Sequence, residues 1–164
     1  SLGSLGEFLQ YPDDTSLYIL SAQGLVADKT LAESLDGKQR RHWFHIEAVR
    51  RRSDGLPLCW SSIYVQPKYA TVVDWIGKDT SPVHLLIDRH FGQRPAKVEI
   101  DMFAGSISTE HAAELEVEEG TPALVIVRRY AETSGKFYEI SVIEHPADRY
   151  TYSMELERAW GARD

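Results

Sequence analysis

The groups able to do chemistry gather in the last third of the chain, at the ends of two apolar runs. GTPALVIVRRY (120–130) closes on Arg128, Arg129 and Tyr130. YEISVIEHPADRY (138–150) opens on Tyr138 and Glu139 and closes on Arg149 and Tyr150. Runs of this type form antiparallel strands and bring polar groups onto a sheet whose other positions are apolar. Guanidinium, carboxyl and phenol groups held in that way suit the capture of a small molecule: arginine forks take anions, and hydroxyls fix orientation. Bond-breaking chemistry has no matching equipment. There is no phosphate loop, and none of the scattered histidines (His42, His45, His84, His90, His111 and His145) pairs with a serine in a nucleophile-elbow sequence. Cys59 is the only cysteine, which excludes an intrachain disulfide and a tetrahedral cysteine zinc site. The expectation is a binding protein, with no catalytic residues, no metal and no cofactor.

Short elements must position these groups. Residues 17–26, 42–52, 58–65 and 97–103 read as strands, the middle two joined by the hairpin turn Ser53-Asp54-Gly55. Residues 4–11, 28–35, 67–76, 81–91 and 108–115 read as short helices. Ser81 is expected to cap the fourth, with Pro82 in its first position and Gly92 as its stop. The closing stretch is expected to give three consecutive strands, the last in TYSMEL (151–156). This order implies an α+β fold with a mainly antiparallel sheet.

Composition bounds the rest. A chain of 164 residues suits one domain spanning 1–164 with a core that needs no staples. Acidic residues outnumber basic ones 25 to 18, the wrong sign for neutralising DNA phosphates. The one basic run, Lys38 to Arg41, reads as a solvated loop. No apolar run approaches the roughly 20 residues that span a bilayer, and the single cysteine fits a reducing cytosol.

Three blocks carry a family resemblance: RRRSDGLPLCWSSIYV (50–65), VEIDMFAGSISTEHAAELEVEEGTPALVIVRRY (98–130) and YEISVIEHPADRYTYSMEL (138–156). In this order and spacing they resemble the UTRA domain, the effector-binding half of GntR-type bacterial transcription regulators, whose fold is similar to that of chorismate lyase. The resemblance implies a sensor that binds a small anionic or polar metabolite and forms a homodimer. It further implies that operator DNA is read by a winged helix-turn-helix domain absent from this chain.

The resemblance also nominates ligand-binding residues, each with a plainer structural reading. Arg51 stands where the family keeps an arginine before the hairpin turn, and otherwise reads as a surface arginine. Ser81 opens a helix, and otherwise simply caps it. Glu99 and Glu139 match acidic positions and Arg128 the core arginine; the rival account is an ion pair of Arg128 with Glu99 or Glu139. Tyr150 matches the closing "D, R, Y" turn, while Ser61 and His84 are secondary candidates. Val49 and Val83 depart from the arginine and tyrosine of many relatives, toward a less polar pocket. Two other functions stay open: a chorismate lyase-like enzyme on the same fold, and an oligomerisation module without a ligand.

Overall fold

The structure is a computed structural model, and it describes residues 11–37 and 42–158. Six strands form one sheet in the order β1-β2-β3-β6-β5-β4, with every neighbouring pair antiparallel. They are β1 (Thr15–Val26), β2 (His42–Arg52), β3 (Pro57–Val65), β4 (Lys97–Ser106), β5 (Pro122–Ala131) and β6 (Phe137–Pro146). Between them lie α1 (Lys29–Leu35), a 3-10 helix (Pro67–Trp75), α2 (Val83–Phe91) and α3 (Thr109–Leu115). The α+β, mainly antiparallel architecture is the expected one. The Ser53-Asp54-Gly55 turn forms as its chemistry demands: Gly55 sits at φ +90°, and Asp54 Oδ1 accepts from the Leu56 amide at 3.1 Å.

Both faces of the sheet are covered, and the two-residue period of the strands sorts side chains between them. On one face Trp43, Val49, Trp60, Tyr64, Val125, Val127 and Ile140 pack with Leu35 of α1 and with Ala112 and Leu115 of α3. On the other, Ile46, Ile63, Val65 and Tyr130 pack with Tyr69 and Val72 of the 3-10 helix and with Val83, Leu86 and Ile87 of α2. Because both faces are apolar, neighbouring positions on β2 and β3 are buried alike.

Two local expectations are corrected. The closing residues make no third strand: after Pro146 the chain turns, and residues 150–158 have no regular structure. Arg149 fixes this segment instead, donating to the carbonyls of Pro57, Leu115 and Glu116, two of them at the exposed C-terminal end of α3. Ser81 does not cap α2. The N-cap is Pro82, while Ser81 donates its amide to Asp79 Oδ1 (2.7 Å) and accepts from Arg89 through its hydroxyl (3.0 Å). Helix α3 does start after Ser108, but that hydroxyl turns to Glu144 rather than back to the helix. The expected helix over 4–11, apart from the non-helical Tyr11, and the basic run 38–41 lie outside the described residues.

One glycine fixes how the 3-10 helix passes into the segment leading to α2. Gly77 has φ +80°, and a Cβ there would sit 2.6 Å from the Leu17 carbonyl oxygen of β1. Gly77→Ala would combine a left-handed backbone penalty with a clash against immobile backbone, together about 2 kcal/mol. We expect its thermal midpoint to fall by about 4–8 °C. An unchanged midpoint in a calorimetric scan would mean that the close approach is easily relieved.

Candidate ligand-binding site

A cavity of about 130 Å³ opens between the sheet and the start of α2. That approaches the roughly 150 Å³ of a cavity that takes a single benzene ring, so it has room for a small metabolite. Its floor takes alternate residues from five strands: Thr15 and Leu17 (β1), Arg50 (β2), Ser61 and Ile63 (β3), Arg128 and Tyr130 (β5), and Glu139, Ser141 and Ile143 (β6). Its roof is residues 80–84, which include the first turn of α2. The amides of a helix's first turn have no partners within the helix and point toward incoming anions. Tyr11, Pro12 and Asp13 close one end.

Three polar atoms on the floor are buried with no hydrogen-bond partner: Arg128 Nε, Glu139 Oε1 and Ser141 Oγ. Arg128 is only 7% exposed and Glu139 only 3%. The register places Arg128 opposite Ser141, and Glu139 opposite Tyr130. Arg128 and Glu139 are therefore diagonal neighbours, and no ion pair joins them among the described residues. Leaving a buried polar atom unpaired costs about 1–3 kcal/mol, so three of them around one recess form an unusual concentration.

Burial opposes the charge of Arg128, but Tyr130, Tyr11 and Glu139 around it more than compensate, and its pKa is raised. Burial drives the Glu139 carboxyl up to about 8, against the opposing pull of Arg128. Arg50 donates to Thr15 Oγ1 at 3.1 Å and lies 4.4 Å from the Tyr11 ring centre. Burial lowers its pKa, yet a guanidinium stays protonated at any ordinary pH. Burial and then Arg128 bring His84 down to about 4, so it is neutral; it stacks on Tyr130 with centroids 4.8 Å apart. At neutral pH the cavity therefore presents two cations, a carboxyl on the acid side of its titration, hydroxyls and an apolar wall. That combination is chemically suited to an oxyanion.

Beside the cavity stands a stack of rings. His145 is wholly buried, donates from Nδ1 to the Leu124 carbonyl (2.9 Å), and therefore accepts from the Tyr11 hydroxyl at Nε2 (2.8 Å). Tyr150 stacks on the same imidazole at 4.0 Å. Burial first, with help from Arg128, lowers His145 to about 4 and keeps it neutral.

Residues 13–151 match the family model of the UTRA domain. The chain belongs to the UTRA domain family. It is 29% identical over 145 residues to the HTH-type transcriptional regulator Rv0792c of Mycobacterium tuberculosis, a match that spans 85% of this chain and 52% of that protein. The chain thus covers about half the length of that relative. Among solved structures it is similar to the ligand-binding domain of a regulator assigned to the GntR family from Bordetella bronchiseptica, with a TM-score of 0.71 and 20% identity over 90% of this chain and 95% of the other. It is also similar to the C-terminal domain of the histidine utilization repressor from Pseudomonas syringae pv. tomato, with a TM-score of 0.73 and 16% identity over 88% and 99%.

Within this UTRA domain, five of the nominated residues meet at the cavity: Ser61, Ser81, His84, Arg128 and Glu139. Three do not line it. Arg51 shares a face with Val49, as strand alternation requires, but that face is the one under α3. Its guanidinium pairs with Glu114 (2.7 Å) and donates to the Gly55 carbonyl (3.0 Å). Glu99 sits opposite Arg129 rather than Arg128 and pairs with Lys97 (3.0 Å) near the sheet edge. Tyr150 lies against His145, outside the cavity wall. The residues missed were Arg50, Tyr130, Ser141 and Tyr11. Arg50 and Arg51 are adjacent, and only knowing which face is hollow chooses between them. No helix of the described residues is long and apolar enough to cross a membrane. Among the described residues no cluster of three or more potential metal ligands occurs.

Proposed function

We propose that this UTRA domain senses a small anionic metabolite and that occupancy of the cavity adjusts DNA binding by a helix-turn-helix domain of the same regulator. The observation that carries this reading is Arg128: a buried guanidinium with an unpartnered Nε on the floor of a metabolite-sized recess, with Arg50 as a second cation. A buried donor without an acceptor costs stability and is reasonable where a ligand supplies the missing acceptor. The relatives support the regulatory half: one is named an HTH-type transcriptional regulator, and one structure is titled a ligand-binding domain. The setting is the bacterial cytoplasm, and the regulator works as a homodimer. Exposed apolar residues on the two edge strands, Tyr18, Leu20 and Val26 of β1 and Met102 and Phe103 of β4, suit such an interface. Ligand binding then shifts the population between two arrangements of the DNA-reading domains.

A thermal-shift screen with small carboxylates, phosphates and sugar phosphates tests the sensor. A true ligand at about 100 times its Kd adds about 2.7 kcal/mol, which raises the midpoint by about 5–10 °C. No shift with any compound, or consumption of a bound compound, would overturn the proposal.

A further inference from the structure

Glu139 has a chemistry that a plain anion site does not need. Its carboxyl is buried in the cavity floor, 3% exposed, with Oε1 unpartnered. Although Arg128 is its diagonal neighbour, no ion pair forms between them among the described residues. An ionised carboxylate in that position would be both dehydrated and unpaired, a far costlier state than the neutral acid. A neutral acid beside a guanidinium offers an O–H donor next to an N–H donor, and both can point at a single oxyanion.

We propose that Glu139 serves as a carboxylic acid that donates its proton in a hydrogen bond to the bound anion, so that anion and proton are held together. This rests on the cavity being the ligand site, and adds to it a rule of regulation: alkali releases the ligand. The proton comes from solvent and stays on Glu139; no covalent bond is made to the ligand.

The groups that face Glu139 are compatible with a single titration. On β5 stand Arg128 and Tyr130, the latter pushed up to about 12 mainly by burial. On α2 stands His84, brought down to about 4, with Asp88 farther along the helix. Tyr138, next to Glu139 on β6, is raised by burial, with Tyr69 of the 3-10 helix packed against it. On β3 stand Ser61 and Cys59, whose thiol burial lifts to about 11. Toward the other end lie Arg50 and the raised phenol of Tyr11. Between pH 6 and 10, then, Glu139 with its value of about 8 is the cavity group that changes charge.

The test uses benzoate and sulfate, whose own charges are constant over that range. Isothermal titration should show affinity nearly level from pH 6 to 7, bending through pH 8 and approaching a tenfold fall per pH unit only above about pH 9, for a total of about 100-fold between pH 7 and 10. At pH 9 each anion bound should take up nearly one proton, read from the dependence of the heat on buffer ionisation. Glu139→Gln keeps an N–H donor but cannot titrate, so whatever its affinity at pH 7, that affinity should stay level to pH 10. The wild-type protein alone supplies a second measurement, the Glu139 side-chain carbonyl carbon resonance, which should titrate near 8. A resonance that titrates near 4 overturns the inference, as does a fall with pH that persists in Glu139→Gln. Benzoate or sulfate binding that does not change with pH sinks the Glu139 inference alone. Failure of the wider metabolite screen sinks the ligand reading, and this inference with it.

Discussion

Replacing Arg128 with methionine is expected to lose anion binding while the domain's stability changes little. The unpartnered Nε is dehydrated without an acceptor, but Tyr130, Tyr11 and Glu139 favour the charge enough to raise its pKa. These effects oppose each other, and exchanging a buried charge for an apolar side chain of similar length is often near neutral, so a change within about 1 kcal/mol is expected. Glu139 does not obstruct the exchange. Arg128 holds its pKa down, so in the variant the carboxyl is even more firmly neutral and no unpaired charge appears. A ligand anion, by contrast, loses its buried donor, which costs about 2–5 kcal/mol, or at least about 30-fold in affinity. Urea unfolding and anion titration on one preparation read both effects. A variant destabilised by 3 kcal/mol or more would show that Arg128 is a structural residue and that the cavity is not built around it.

Glu144→Ala should give the largest loss of stability among the polar changes considered. On the sheet face opposite the cavity, Glu144 accepts from the Ser108 amide (2.8 Å) and hydroxyl (3.0 Å) through Oε1, and bonds His111 Nδ1 through Oε2. Trp60 stacks on that imidazole at 3.9 Å, so one carboxylate ties the start of α3 to β6 and β3. Truncation strands two donors and the imidazole; a cost of about 3 kcal/mol follows, or roughly 6–12 °C in the midpoint. The sign of the pH effect is also fixed. Burial pushes the Glu144 carboxyl up, but the bonds from His111 and Ser108 outweigh it and its pKa is lowered. A depressed folded value means that the contribution is complete above the unfolded carboxyl value of about 4.3. It fades as pH falls through the folded value. The difference in urea stability between wild type and Glu144→Gln should therefore be level from pH 7 to 5 and shrink toward pH 3. A difference that grows in acid would contradict the assignment.

Much of the architecture could be read in the residues. Apolar strand-type runs marked β2, β3 and β5, and Asp54-Gly55 marked the hairpin. The Arg128 and Glu139 positions on the cavity floor came with the family blocks. What escaped had physical causes. TYSMEL has the composition of a strand, yet Arg149 secures the preceding turn through carbonyls far away in sequence, and no neighbouring edge takes those residues up. Ser81 has the form of a cap, but Asp79 and Arg89 compete successfully for its groups. Arg51 was nominated because it falls on the family's arginine before the hairpin turn, and alternation, which gives the two sides of β2 without saying which is hollow, could not correct it to Arg50. Helices cover both sides, so the hydrophobic pattern is symmetric where the function is not.

The position of Tyr11 has a mechanical consequence. Its ring lies under the Arg50 guanidinium, its hydroxyl is seated on His145, and its backbone continues directly into residues 1–10. Any occupant that draws Arg50 inward must also tug on this joint. If the cavity is the sensor proposed above, detection and its relay would meet at this one aromatic side chain, with no long chain of intermediaries through the sheet.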